Sequence, residues 1–463
     1  MSEHEPPPSE TGADAATARA ERPTPSPDPR ELLRRLHEYR SRRDWEAVIA
    51  VGRKLPATLD SHDWCDVADA VAFGLGQRGR HLEAIELLER VVQVAPTPAR
   101  YSSLAYLHYD AALRLAVRRP AGKTREGGGG KGERAGRRDD APQPTGAELQ
   151  RLRELHRKGF RRWIAEALRA RPDSVKDLYR LGIFEAQVEN QHDKPALRAF
   201  LAAIRAYRGL DETTRARRGD LRKAHAKALY AGARSALRLG RLDLARKMSF
   251  ALVREDREHD DVEPLFKMAL AGRVCLRTGE LDAADRAFRI ALDAKGPPER
   301  AWLHAYIAQT YLARNDPRGG AAWLDRHVPA RKRMSAVWRL RGDLARAAGE
   351  PDVALRCYEA ALEKDRMGRH LTLVRMGELH EQAGRHKAAE QAYRSANEVR
   401  RRVHGSEDAR ALAGLARVLG LRGKNDEAQS VRRRLADLAK TRPRFGAAES
   451  EAFFGAEPEE SVG

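Results

Sequence analysis

Five positions recur along this chain with one internal spacing. Gly342, Gly349, Ala354, Tyr358 and Ala361 are followed by Gly377, Gly384, Ala389, Tyr393 and Ala396, and preceded by Gly272, Gly279, Ala284, Phe288 and Ala291. A unit of this length cannot bury an apolar face alone, so copies must stack and share a continuous core. Apolar residues return at helical spacing throughout, and no stretch alternates as a strand does. The chain is therefore predicted to be all-α from about Arg30 to about Arg442. Weaker copies extend the pattern. They are marked by Gly79, Ala84 and Pro96; by Gly182, Ala196, Phe200 and Ala203, with two extra residues; by Gly240 and Ala245; and by Tyr311 with Trp323 and Leu324, whose second helix carries Gly319 and Gly320.

Three segments stand outside the repeats. Residues 1–29 are acidic and rich in proline, with too little apolar content to offset the entropy of ordering, and are expected to be disordered. Asp28 and Pro29 then supply an N-cap and a first-turn proline for a helix. Residues 119–146, with four consecutive glycines from Gly127, read as a flexible basic insertion between the two helices of one repeat. Its Gly122-Lys123-Thr124 looks like the end of a phosphate-binding loop. The glycine required five positions earlier is Val117 and no strand precedes it, so no nucleotide site is assigned. Residues 445–463 hold Glu449, Glu451, Glu457, Glu459 and Glu460 around Phe453-Phe454 with no base, an acidic tail expected to be disordered.

Removing the acidic ends sharpens the charge of the body. The whole chain is +20, with 71 Arg against 16 Lys, and residues 30–444 alone are +29. Guanidinium forks bind carboxylate and phosphate bidentately, so such a body attracts polyanions; solvated helix faces in an Arg-rich protein give the same total. The three cysteines, Cys65, Cys275 and Cys357, are far apart and unpaired in spacing, which argues against a disulfide scaffold, a zinc ribbon or a redox dithiol. No apolar stretch approaches the roughly eighteen residues of a membrane span. A cytoplasmic protein with no membrane partner is expected.

The repeated spacing resembles the tetratricopeptide repeat, whose unit has small residues at positions 8, 20 and 27, a glycine-like turn at 15 and an aromatic at 24. The last copy, from Val399 to Leu438, has a longer linker, residues 403–408, similar to the variant of kinesin light chains. The resemblance implies a right-handed α-solenoid of about ten antiparallel helix pairs, beginning near Asp44-Trp45. Its N-terminal repeats lie in 30–118, degenerate repeats in 147–224 and the main array in 225–444. It also implies that Trp338, Tyr358, Tyr393, Phe288 and Cys275 are buried.

In that family the first helix of each pair lines the concave face. Carried over position by position, the face holds Lys227, Tyr230, Arg234 and Arg238; then Phe266, Arg273 and Arg277; then Trp302 and Gln309; then Arg339, Asp343 and Arg346. Glu378 and Glu381 reverse the sign in the next repeat, so the basic stretch is expected to end near residue 350. Paired arginines beside aromatic rings suit an acidic peptide or protein segment with an apolar anchor. The chain's own acidic tail is a possible intramolecular ligand. Chaperone-binding members of the family hold a terminal carboxylate with a Lys-Asn pair where this chain has Tyr230 and Arg234, so that activity is not implied. Single-stranded RNA or DNA is the alternative ligand class. No H-E-x-x-H, nucleophile motif or cofactor fingerprint occurs, so the expectation is a non-enzymatic scaffold without cofactor.

Overall fold

The computed structural model describes residues 28–117, 146–189, 193–297, 300–365 and 367–441. The expectations for residues 1–27, for the insertion at 119–145 with its Gly122-Lys123-Thr124, and for the tail at 445–463 lie outside the described residues. Among the described residues the regular structure is entirely helical, as the apolar spacing predicts, with 21 α-helices in chain order.

Contacts divide the chain into two units. The first takes in residues up to Ala111 together with Glu154–Trp163, and the second takes in the rest. The first unit holds α1 (Pro29–Ser41), α2 (Trp45–Val51), α3 (His62–Gln77) and α4 (His81–Val94), with parts of α5 (Pro98–Val117) and α6 (Gly146–Ala170). Asp28 caps α1 through the amide of Arg30, and Pro29 occupies the first turn. Asp44 and Ser61 cap α2 and α3 in the same way.

The second unit continues as α7 (Val175–Gln187), α8 (Asp193–Arg208), the short α9 (Glu212–Arg217), α10 (Gly219–Arg238), α11 (Leu242–Glu255), α12 (Pro264–Thr278) and α13 (Leu281–Asp293). After these come α14 (Ala301–Ala313), α15 (Pro317–His327), α16 (Ser335–Ala347), α17 (Pro351–Lys364), α18 (Arg369–Gln382), α19 (His386–His404), α20 (Ala409–Leu421) and α21 (Asn425–Thr441). From α10 on, each helix packs on the next, and α8 packs on α7 and α10. In addition α7, α10, α12, α14, α16, α18 and α20 touch one another in succession, forming a continuous row of first helices. That pattern of nearest-neighbour contacts is an α-solenoid.

Two local devices generate it. A Cβ on Gly342 would lie 2.4 Å from the ring of Tyr358, and the same test gives 2.6 Å for Gly377 on Tyr393, 2.6 Å for Gly272 on Phe288 and 2.5 Å for Gly182 on Phe200. The glycine and the aromatic are therefore one contact: the second helix presses its ring into a notch in the first. Tyr393 is held on both sides, because a Cβ on Gly414 of the following repeat would also run into its ring. The second device is the turn. Amide hydrogen bonds back across five residues close the first helix at Arg80 to Leu75, Arg241 to Ala236, Glu280 to Cys275, Glu350 to Ala345, Arg385 to His380 and Lys424 to Leu419, all at 2.8–2.9 Å. The residue just before each donor is a glycine at positive φ, such as Gly279 at 87° and Gly349 at 78°. Asn315, at 60°, does the same work in the α14/α15 pair, which explains why that copy is hard to find by its glycines.

Tyr358, Tyr393, Phe288 and Cys275 are buried. Trp338 is a correction: it is only half-buried, and Arg333 and Lys364 lie over its ring at 4.9 and 5.9 Å. Cations rather than apolar neighbours cover it. The linker before α20 also differs from expectation, because α19 continues as helix through His404 and ends on Gly405 at φ 64°. Asp408 then caps α20 through the amides of Arg410 and Ala411.

Candidate binding groove

The row of first helices in the second unit changes character along its length. From α16 to α20 its charges are matched across neighbouring repeats. Arg346 meets Glu378 at 2.9 Å, Arg375 meets Asp343 at 2.9 Å, Arg410 meets Glu378 at 2.6 Å and Arg417 meets Glu381 at 3.0 Å. The buried tyrosines join in: Tyr358 donates its hydroxyl to Asp343 and Tyr393 donates to Glu381, each at 2.8 Å. Burial, reinforced by those carboxylates, pushes both phenols well above the usual range, so they remain donors. Burial disfavours the Glu381 charge, but hydrogen bonds from Arg417 and Tyr393 outweigh it and hold the carboxyl low.

From α10 to α14 the row is different. Neither α12 nor α14 contains an acidic residue, and α10 contains only Asp220 in its first turn, already paired with Arg218 and Lys176. Lys227, Arg234, Arg273 and Arg277 have no carboxylate partner among the described residues. Two of these cations rest on rings. The Arg234 guanidinium lies 5.5 Å from the Tyr230 ring, and that of Arg273 lies 5.5 Å from the ring of Tyr306 on the next first helix. Stacking restrains each fork while leaving its N–H edge open, which suits bidentate capture of an oxyanion. Phe266, 39% exposed, adds apolar area beside them.

The other residues named from sequence sit as follows. Trp302 packs edge-on to Tyr306, and Gln309 lies half-exposed on the same helix. Arg238 is bound by Asp193 through Nε at 2.8 and 2.9 Å. Arg339 reaches Asp365 at 3.4 Å and Thr372 at 3.2 Å, and Arg346 is held by Glu378. These three guanidinium groups are thus in intrachain polar contacts, whereas Lys227, Arg234, Arg273 and Arg277 have no carboxylate partner among the described residues.

Sequence reasoning missed a cavity of about 330 Å³ between α7 and α10, lined by Leu113, Ile183, Ala186, Gln187, Ala231, Arg234 and Arg238. Ile183, Ala186 and Gln187 continue the same row of first-helix positions back into α7. The signal was present in the register of Gly182 but was blurred by the two extra residues of that copy. Tyr306 was also missed, because it contributes a ring to Arg273 from one repeat further on.

Residues 368–441, which form α18 to α21, match the tetratricopeptide repeat family model. The ring-in-notch contact found there recurs upstream as far as Gly182 of α7, and the left-handed turn recurs after α10, α12, α14 and α16. This chain carries tetratricopeptide repeats. Among solved structures, a tetratricopeptide repeat protein from Parabacteroides merdae is 13% identical, covers 65% of this chain and 93% of its own, and superposes with a TM-score of 0.40. Cut9 from the APC/C hetero-tetramer Cut9–Hcn1 is 14% identical over 91% of this chain and 81% of that one, with a TM-score of 0.34. Yeast Tom70 is 15% identical over 89% and 92%, with a TM-score of 0.35. No curated protein matches the sequence. The tetratricopeptide-repeat architecture is that of a protein-interaction scaffold in general, and no described helix is long and apolar enough to cross a membrane.

Proposed function

We propose that this chain is a non-enzymatic scaffold whose first-helix row from α10 to α14 binds an acidic peptide or protein segment. The observation that carries this reading is the contrast along one row. Arg346, Arg375, Arg410 and Arg417 have acidic partners in a neighbouring repeat, whereas Lys227, Arg234, Arg273 and Arg277 face a stretch in which α12 and α14 supply no acid. An incoming carboxylate completes that stretch as Glu378 and Glu381 complete the next. Tyr230, Phe266 and Trp302 supply the desolvated area that orients such a segment, and Gln309 supplies a neutral hydrogen-bonding group. The chain's own residues 445–463 have the matching acidic and aromatic composition.

The test is binding of a fluorescent glutamate-rich peptide carrying one phenylalanine. Reversing Arg234, Arg273 and Arg277 to Glu should lower affinity on the order of a hundredfold while the far-ultraviolet helical signal is kept. Affinity of the unaltered chain should fall as salt rises. Unchanged binding in the triple variant would remove the groove assignment. A single-stranded oligonucleotide that binds more tightly than the peptide at the same salt would replace the peptide reading with the nucleic-acid one.

A further inference from the structure

We infer that the cavity between α7 and α10 is an anchor pocket for Phe453 or Phe454 from the C-terminal segment of a second copy of this chain. The inference rests on the acidic-segment reading above and adds to it the occupant and its register. The pocket has an apolar floor of Leu113, Ile183, Ala186 and Ala231, and two guanidinium groups at its edge, Arg234 and Arg238. Its volume of about 330 Å³ is roughly that of ten waters, enough for a phenyl ring. Asp193 and Ser235 hold Arg238 in place, and Tyr230 restrains Arg234, so the edge is preorganised. An occupant therefore needs an aromatic or large aliphatic side chain with carboxylates close on either side. Residues 445–463 place Phe453-Phe454 two residues after Glu451 and three before Glu457, and contain five acids and no base.

Geometry favours a second molecule over the same one. Twelve residue steps lead from Thr441 to Phe453 and thirteen to Phe454, and even fully extended they span only about 40–47 Å. The path from α20 back to α10 crosses five first-helix steps, each on the order of 9 Å, or about 45 Å along the row. Occupancy by the same chain would demand a segment held at almost its full extension, which is costly in chain entropy. A neighbouring molecule meets no such limit. The contact joins one end of the array to a different surface near the other, so two copies can exchange it reciprocally in a two-fold dimer or pass it on from molecule to molecule.

Sedimentation velocity on the full chain at low salt tests this. The expected result is association that grows with protein concentration, and that is lost in Phe453→Ala/Phe454→Ala, in Arg234→Glu, and on adding excess synthetic peptide of residues 445–463. The double phenylalanine variant lies outside the helical array, so its effect does not depend on a refolded core. Ala231→Phe, which fills the pocket from its floor, should weaken binding of the labelled 445–463 peptide on the order of tenfold or more, with circular dichroism as the folding control. A chain that stays monomeric throughout, or association that persists in Phe453→Ala/Phe454→Ala, overturns the inference. If an acidic peptide without phenylalanine binds the Ala231→Phe chain as well as the unaltered one, the pocket role fails while the groove stands. If Arg273→Glu/Arg277→Glu leaves binding of every acidic peptide intact, it is the groove reading that fails.

Discussion

At the scale of single residues, the array depends on glycines that are needed for two different reasons. Gly342 is needed for space and Gly279 for backbone angle: the first would place a Cβ 2.4 Å from the Tyr358 ring, whereas the second has nothing within 4 Å but sits at φ 87°. Gly342→Ala should therefore cost about 1–3 kcal/mol through overpacking, and Gly279→Ala about 1 kcal/mol through left-handed strain. Pairing Gly342→Ala with Tyr358→Leu should recover part of the first loss and none of the second, as read from urea midpoints. Histidine gives a pH-dependent counterpart. His108 and His156 are buried in the first unit with their Nδ1 atoms 3.1 Å apart, and burial, helped by the neighbouring imidazoles, lowers both to about 4. A folded value below the unfolded one near 6.5 means that the stabilising contribution is complete above pH 6.5. It is lost as pH falls toward 4, by on the order of 3 kcal/mol for each group. Imidazole proton shifts that titrate near 6.5 would contradict this. The melting temperature of His108→Gln/His156→Gln should depend less on pH across the same window.

Whole helices show why the second unit keeps its register. The first helix of a pair is closed by a five-residue amide bond and a left-handed residue, and the second carries the ring that fills the notch. Between pairs, α16, α18 and α20 are also tied by Glu378, which accepts from Arg346 at 2.9 Å and pairs with Arg410 at 2.6 Å. Glu378, Arg346 and Arg375 are mostly shielded from solvent, although Arg410 is not, so Glu378→Gln leaves Arg346 and Arg375 without this carboxylate and should cost about 1–3 kcal/mol. Differential scanning calorimetry would register this as a lower melting temperature. An equal-sized loss is not expected for Glu427→Gln, whose partner Arg394 is half-exposed.

At the scale of the molecule, the described helices of the second unit pack mainly on sequence neighbours and, along one row, on successive first helices. Damage should therefore stay local. Ala354 is fully buried in the α16/α17 pair, and Ala354→Trp should overpack that pair. Hydrogen exchange measured by mass spectrometry should accelerate over α16 to α19 while α10 to α13 keep their protection. Uniform acceleration would show that the second unit unfolds as one cooperative body.

The helical class, the repeated spacing of glycine and ring and the position of the turns were all legible in the sequence, whereas the contact of each ring with the glycine of its own repeat came from the structure. Each depends on residues close in the chain, and each is written several times over. Asn315 in place of a turn glycine, and the helical continuation through His404, escaped because a single copy departed from the repeated wording. The candidate groove was legible only in outline. Repeat register placed Lys227, Arg234, Arg238, Arg273, Arg277, Arg339 and Arg346 on one row, yet it could not tell a guanidinium with a partner from one without. The partners of Arg238, Arg339 and Arg346 are Asp193, Asp365 and Glu378, brought from 45, 26 and 32 residues away. The cavity floor likewise joins Leu113 to α7 and α10. Helix formation is decided over a few residues, so composition and spacing determine it. The free charge of a side chain is decided by whichever distant helix packs beside it, so only the tertiary structure does.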